Sequence, residues 1–320
     1  MLARDALAID PVRAADEIER TLRQQVFGTL HRRGIVLGLS GGIDSSVVAA
    51  LAARALGKDR VLGLSMPERD CSSDSVRLGR HVAEACGIEC IVEDITPILE
   101  VAGCYARQIE AIRSVFPEYG EGWRCKLGLP SILGEDRLNV FQLTVESPDG
   151  ARRSSRMPAA AYLLLVAATN FKQRARKMME YFHADRLGYA VAGTPNRLEY
   201  DQGFFVKQGD GAADVKPIAH LYKTQVYALA AHVGIPDEIR RRPPTTDTYS
   251  LEQTQEEFYF ALPYSEMDFC LYAHDQEAPA AEVAERLGLA TVQIERVYRD
   301  IEAKRRTARY LHAAPLVVGG

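Results

Sequence analysis

At 320 residues, 47% hydrophobic and 26% charged, the chain has the composition of a globular protein, long enough for one generous core or a core plus an appendage. A net charge of −4 gives no reason to expect a nucleic acid or an anionic membrane surface as partner. No apolar run approaches the roughly 20 residues of a membrane span. The acid-bearing start lacks an apolar core segment and does not read as a secretory signal, so the expected place is the cytoplasm.

Residues 12 to 32 read as a helix leading into an apolar strand, Ile35 to Leu39. The run Val47 to Ala53 belongs to a helix near 45 to 56, closed by Gly57. Val61 to Met66 is a second buried strand stopped by Pro67. Ser72 or Ser73 can cap a helix reaching Cys86, with Gly87 ending it. A third strand runs from Glu89 to Ile95, and Thr96-Pro97 is a helix start. Strands alternating with helices predict an α/β fold, a doubly wound parallel sheet flanked by helices.

From 104 to 157 the alternation breaks, and this stretch is expected to be an insertion or lid within a single domain spanning 1 to 320. Leu138 to Val145 alternates like a strand and Pro148-Asp149-Gly150 is a turn, which together predict a small hairpin. Helix resumes from Ala159 to about Phe182, then strand from Tyr189 to Thr194. Another helix covers 222 to 233, stopped by Gly234-Ile235-Pro236. Residues 265 to 320 form a helical tail, with two helices between 278 and 312. The six cysteines include no Cys-x-x-Cys pair and read as structural thiols.

The chemistry is concentrated in Val36-Leu-Gly-Leu-Ser-Gly-Gly-Ile-Asp-Ser-Ser46. Glycines at 41 and 42 permit a sharp turn and remove Cβ atoms that would block a bulky anion. The freed N–H groups and the positive end of the following helix suit phosphate or pyrophosphate. Asp44 would repel that anion unless a cation lies between them, and Mg²⁺ is the natural choice. No Gly-Lys-Ser/Thr follows, so this is not the P-loop of the common NTPases.

Ser-Gly-Gly-x-Asp-Ser resembles the pyrophosphate loop of the N-type ATP pyrophosphatases, whose fold is adenine nucleotide alpha hydrolase-like. Further on come Gly193-Thr-Pro-Asn-Arg-Leu-Glu199, Lys207-Gln-Gly-Asp-Gly-Ala-Ala-Asp214, Leu221-Tyr-Lys-Thr-Gln-Val226 and Pro243-Pro-Thr-Thr-Asp247. In this order and spacing they resemble the ammonia-dependent NAD synthetase family. The resemblance implies that the carboxylate of deamido-NAD is adenylated by ATP with loss of pyrophosphate, and that ammonia then displaces AMP. It implies that Ser40, Gly41, Gly42, Asp44, Ser45 and Ser46 hold pyrophosphate, that Thr194, Lys223 and Thr245 contact ATP, and that Asp44 and Glu199 bind Mg²⁺. Arg174, Lys207 and Asp214 match substrate-binding positions, and the family forms homodimers with the dinucleotide at the subunit interface. Ammonia is expected free or from a separate glutaminase.

The sequence departs from the family in three ways, one being Gln253-Thr254-Gln255-Glu256 where the family commonly shows Gln-Thr-Asp-Glu. A His-Lys pair expected in the tail is replaced by Ala303-Lys304, which makes Lys304 the nearest match to a substrate contact, and the 104 to 157 stretch is long. The last two departures motivate one alternative, an amide ligase for a different carboxylate. A non-catalytic nucleotide-binding protein is a further one, opposed by retention of both acids.

Overall fold

The computed structural model describes residues 5–71, 74–128, 141–244, 249–251, 253–254, 259–260 and 262–318. Four strands form a parallel sheet: β1 (Ile35–Gly38), β2 (Val61–Ser65), β3 (Glu89–Val92) and β7 (Ala190–Val191), in the order β3-β2-β1-β7. β1 is central and buried on both faces, so its side chains are apolar without alternation. Ile35 and Leu37 pack with α1 (Pro11–Arg23), α2 (Ile43–Leu56) and α8 (Lys223–His232). Val36 faces the other way, toward α4 (Thr96–Val101), α5 (Cys104–Arg113) and α6 (Ala159–Leu187). The doubly wound reading therefore holds.

Element ends shift where local bonding intervenes. The third strand stops at Val92 rather than Ile95, because Asp94 turns to accept the Thr96 N–H at 2.8 Å and opens α4. α3 (Asp74–Cys86) ends as expected at Gly87, φ 67°, while its expected caps Ser72 and Ser73 lie outside the described residues. β7 is shorter than the predicted strand: Ala192 still donates to the Val36 carbonyl at 2.9 Å, but it bridges Val215 on its other side and lies outside the strand.

The 104 to 157 stretch contains α5 and a separate antiparallel sheet, β4 (Arg124–Gly128), β5 (Gln142–Glu146) and β6 (Arg152–Arg156). The predicted hairpin is β5–β6, turning at Gly150 with φ 85°; residues 138 to 140 of the expected strand lie outside the described residues. Cys125, Leu127, Leu143 and Val145 alternate inward onto α5 and the start of α6. The tail is α10 (Tyr264–Asp275), α11 (Ala280–Leu287) and α12 (Thr291–His312), sharing a core with Leu198 and Tyr222. α7 (Arg197–Gln202) and α9 (Asp237–Arg241) complete the order. No described helix is long and apolar enough to cross a membrane.

Candidate active site

The sheet order fixes where a ligand can enter. From β1 the chain winds one way to β2 and β3, and β7 returns on the other side. The loops after β1 and β7 therefore part at a topological switch point, which opens a crevice beyond their C-terminal ends. Gly41 turns the first loop at φ 75°, and a Cβ there would stand 2.5 Å from the Leu78 Cβ of α3. Glycine is demanded by backbone conformation and by α3 packing, besides any need for an open anion seat.

Gly42 is the N-cap of α2, and no described side chain caps that helix. Its opening N–H groups and the dipole behind them are suited to seat an anion. Ser40 Oγ accepts from Gly42 N at 3.2 Å and lies 3.2 Å from Ser45 Oγ. Ser45 and Ser46 donate back to the Gly42 carbonyl at 3.1 and 2.8 Å. Ser40 and Ser45 line the crevice, whereas Ser46 is fully buried and braces the loop from behind.

Four side chains from three elements meet beside this loop. Lys223, the first residue of α8, is fully buried and donates through Nζ to Asp44 Oδ2. Asn196 Nδ2 donates to Asp44 Oδ1 at 3.2 Å, and Asn196 N donates to Glu199 Oε2 at 3.2 Å. The two acids predicted to share a cation are thus bridged by one asparagine. Asn196 and Glu199 form a capping box on α7, and that box aims the glutamate. A lysine at a helix N-terminus opposes the dipole, but Asp268 of α10 accepts from Lys223 N at 3.3 Å and Thr224 N at 2.7 Å and compensates.

Burial first, then the Asp44 carboxylate, pushes the pKa of Glu199 up to about 8, with Lys223 opposing. For Lys223, burial disfavours the ammonium, yet Asp44 and Glu199 outweigh it and its pKa is raised. A pKa near 8 keeps Glu199 largely protonated near neutral pH when Lys223 is the only cation facing the two acids, and a divalent cation that displaces this proton fits the donor set. Among the described residues no cluster of three or more acids, histidines or cysteines forms a closed cage. Two carboxylates completed by phosphate oxygens and water is the Mg²⁺ pattern rather than a protein-enclosed site.

The crevice is one cavity of about 450 Å³. Thr194 lines it, while Thr245 lies outside the described residues. Residues not anticipated from sequence also line it, all from α6 or the 204–210 turn: Arg176, Lys177, Glu180 and Asp210. Lys177 Nζ lies 2.6 Å from Glu180 Oε2, and both are buried. Burial raises the pKa of Asp210, countered by the Val206 N–H it accepts at 2.7 Å. A charge run such as 172–177 ordinarily marks a solvated helix face; the signal that it turns inward is its i, i+3, i+4 continuation through Glu180.

The four acceptor-side candidates do not line the cavity. Arg174 is exposed and reaches the Lys207 carbonyl at 3.3 Å. Lys207 Nζ donates to the Tyr310 and Ala313 carbonyls at 2.8 and 3.2 Å. Asp214 accepts the Val191 N–H at 2.7 Å and so ties down β7. Lys304 is buried, with Nζ 2.7 Å from both Asp300 Oδ2 and the Tyr259 carbonyl.

The sequence matches the NAD synthase family over residues 14–114 and 138–308. The chain belongs to that family. It is 63% identical over 311 residues to an NH3-dependent NAD(+) synthetase of Mesorhizobium japonicum, covering 97% of this chain and 98% of the relative. Among solved structures, NMN synthetase from Francisella tularensis aligns with a TM-score of 0.66 at 21% identity, covering 98% of this chain and all 100% of that one. The NH3-dependent NAD synthetase from Campylobacter jejuni aligns with a TM-score of 0.63 at 21% identity, covering 97% and 100%. These last two likenesses establish the fold of an NAD synthase, and the Mesorhizobium sequence carries the closer kinship.

Proposed function

We propose that the chain catalyses the ATP-dependent amidation of deamido-NAD by ammonia, giving NAD, AMP and pyrophosphate. The observation that carries this is the meeting of Asp44, Asn196, Glu199 and Lys223 beside the Gly41-Gly42 loop at the switch point. In the first step a carboxylate oxygen attacks the α-phosphorus and pyrophosphate leaves. In the second, ammonia attacks the acyl carbon and AMP leaves. The N–H groups opening α2 hold the departing phosphates, and Lys223 places a fixed positive charge where negative charge grows. Asp44 and Glu199 would hold Mg²⁺, which when bound neutralises charge on the departing pyrophosphate.

The working unit is read as a homodimer. α6 shows solvent an apolar stripe, Leu163 (64% exposed), Met178 (52%) and Phe182 (56%), and α4, which packs on α6, exposes Val101 (92%). Arg174 lies on that same exposed side, which is where an acceptor bound between subunits would meet it. None of the six cysteines forms a disulfide, in keeping with a reducing cytoplasm.

Steady-state assays with deamido-NAD, ATP, Mg²⁺ and ammonium should give AMP and pyrophosphate in equal amounts with NAD. AMP release that ignores deamido-NAD and follows another carboxylic acid would reject this acceptor.

A further inference from the structure

The antiparallel sheet β4-β5-β6 plays no part in the chemistry assigned so far. Its first strand falls within residues 115–137, between the two segments that match the family. Yet it reaches the cavity: Leu127 of β4 and Phe141, just before β5, both line it. Phe141 stacks on Tyr162 of α6, with centroids 5.0 Å apart and planes 20° apart.

The free edge of β4 holds a further segment. Leu251 N donates to the Cys125 carbonyl at 2.9 Å, Cys125 N donates to Ser250 Oγ at 3.0 Å, and Gln253 Nε2 donates to the Leu127 carbonyl at 2.9 Å. Residues 249 to 251 and Gln253 are thereby docked along the sheet, and Tyr249 is carried into the cavity wall. The Tyr249 side chain hydrogen-bonds Thr169, whose hydroxyl also accepts from Gln108 Nε2 of α5 at 3.3 Å. The wall is therefore positioned from the sheet and from two helices at once.

We propose that this sheet is a specificity element of the substrate cleft, building with its docked segment a wall that receives a planar heteroaromatic ring. Leu127, Phe141, Tyr162 and Tyr249 offer apolar and π surface, the kind on which a base or a pyridine stacks. Ser250 is a positioning residue that acts through β4 and Tyr249. The inference rests on reading this cavity as the substrate cleft. Two rings are available there, the adenine of ATP and the pyridine of the acceptor.

The test uses the full-length protein. Binding of ATP alone and of deamido-NAD alone is measured by calorimetry, and the KM for each by AMP release. Phe141→Ala should weaken one of the two about tenfold and change the other less than twofold. The affected substrate identifies the ring. Ser250→Ala should shift the same substrate in the same direction by about threefold, and Ser250→Thr, which keeps the acceptor oxygen, should restore it. Equal loss for both substrates with a lowered Tm, no loss for either, or a Ser250→Thr variant no better than Ser250→Ala would overturn the proposal. If the wild type binds both ligands and releases no AMP, the amidation reading fails while the binding arm still judges the wall.

Discussion

On the nucleotide side of the cleft, Asp44, Glu199 and Lys223 are distant in sequence and meet within one chain, joined by Asn196. On the acceptor side, Arg174, Lys207, Asp214 and Lys304 stand apart, each engaged with the chain's own backbone and none lining the cavity. The first set hangs on loops that leave a parallel sheet at its switch point, so topology alone brings the residues together. The second set is spread over α6, a turn and α12, and no strand end gathers it. The sheet gathers the charged residues of the first set within one chain; nothing in the fold of that chain gathers the second.

The sharpest way to break this contrast is at the assembled half. Asp44→Ala should lower kcat by about 10³ or more in AMP-release assays, because it removes a cation ligand and strips Lys223 of its partner. Activity within tenfold of wild type would sink the nucleotide-side assignment. Arg174→Ala tests the other half, and should raise the KM for deamido-NAD about tenfold while the KM for ATP stays within twofold. Sedimentation of the wild type should show a dimer whose dissociation on dilution lowers activity. A fully active monomer would contradict the reading of α6. Gly41→Ala forces a side chain into the left-handed region against Leu78 and should cost about 1–3 kcal/mol of stability, read as a lowered Tm, together with weaker ATP binding. The smallest kinetic effect is expected from Lys304→Met: removing the ammonium near Asp300 should lower Tm, at about 1–3 kcal/mol, without moving either KM. A selective rise in the KM for deamido-NAD would return Lys304 to the substrate.

What the sequence made legible follows the same division. The parallel sheet could be read because β1 and β2 are continuous apolar runs closed by glycine or proline, and the loop because five of the six positions 40 to 45 carry one chemistry. Asn196 escaped notice although Asn-x-x-Glu at a helix start is a readable capping box. Lys177 and Glu180 escaped because a charged run on a helix normally faces water, and only the packing of α6 against β1 and the 204–210 turn turns them inward. The hairpin β5–β6 was visible from its turn. That β4 would seize Ser250, Leu251 and Gln253 was not, since pairing at so long a sequence separation depends on edge backbone groups that no side-chain pattern announces.

α6 is 29 residues long, a rod of about 40 Å, and its two sides serve different masters. One side carries Arg176, Lys177 and Glu180 toward the chemistry, and the other carries Leu163, Met178 and Phe182 to solvent. A helix so stiff cannot roll to suit a neighbour without dragging those ions through the same angle. Evolution of its outer surface is therefore leashed to turnover: drift there is tolerated only in steps that leave the helix unrotated.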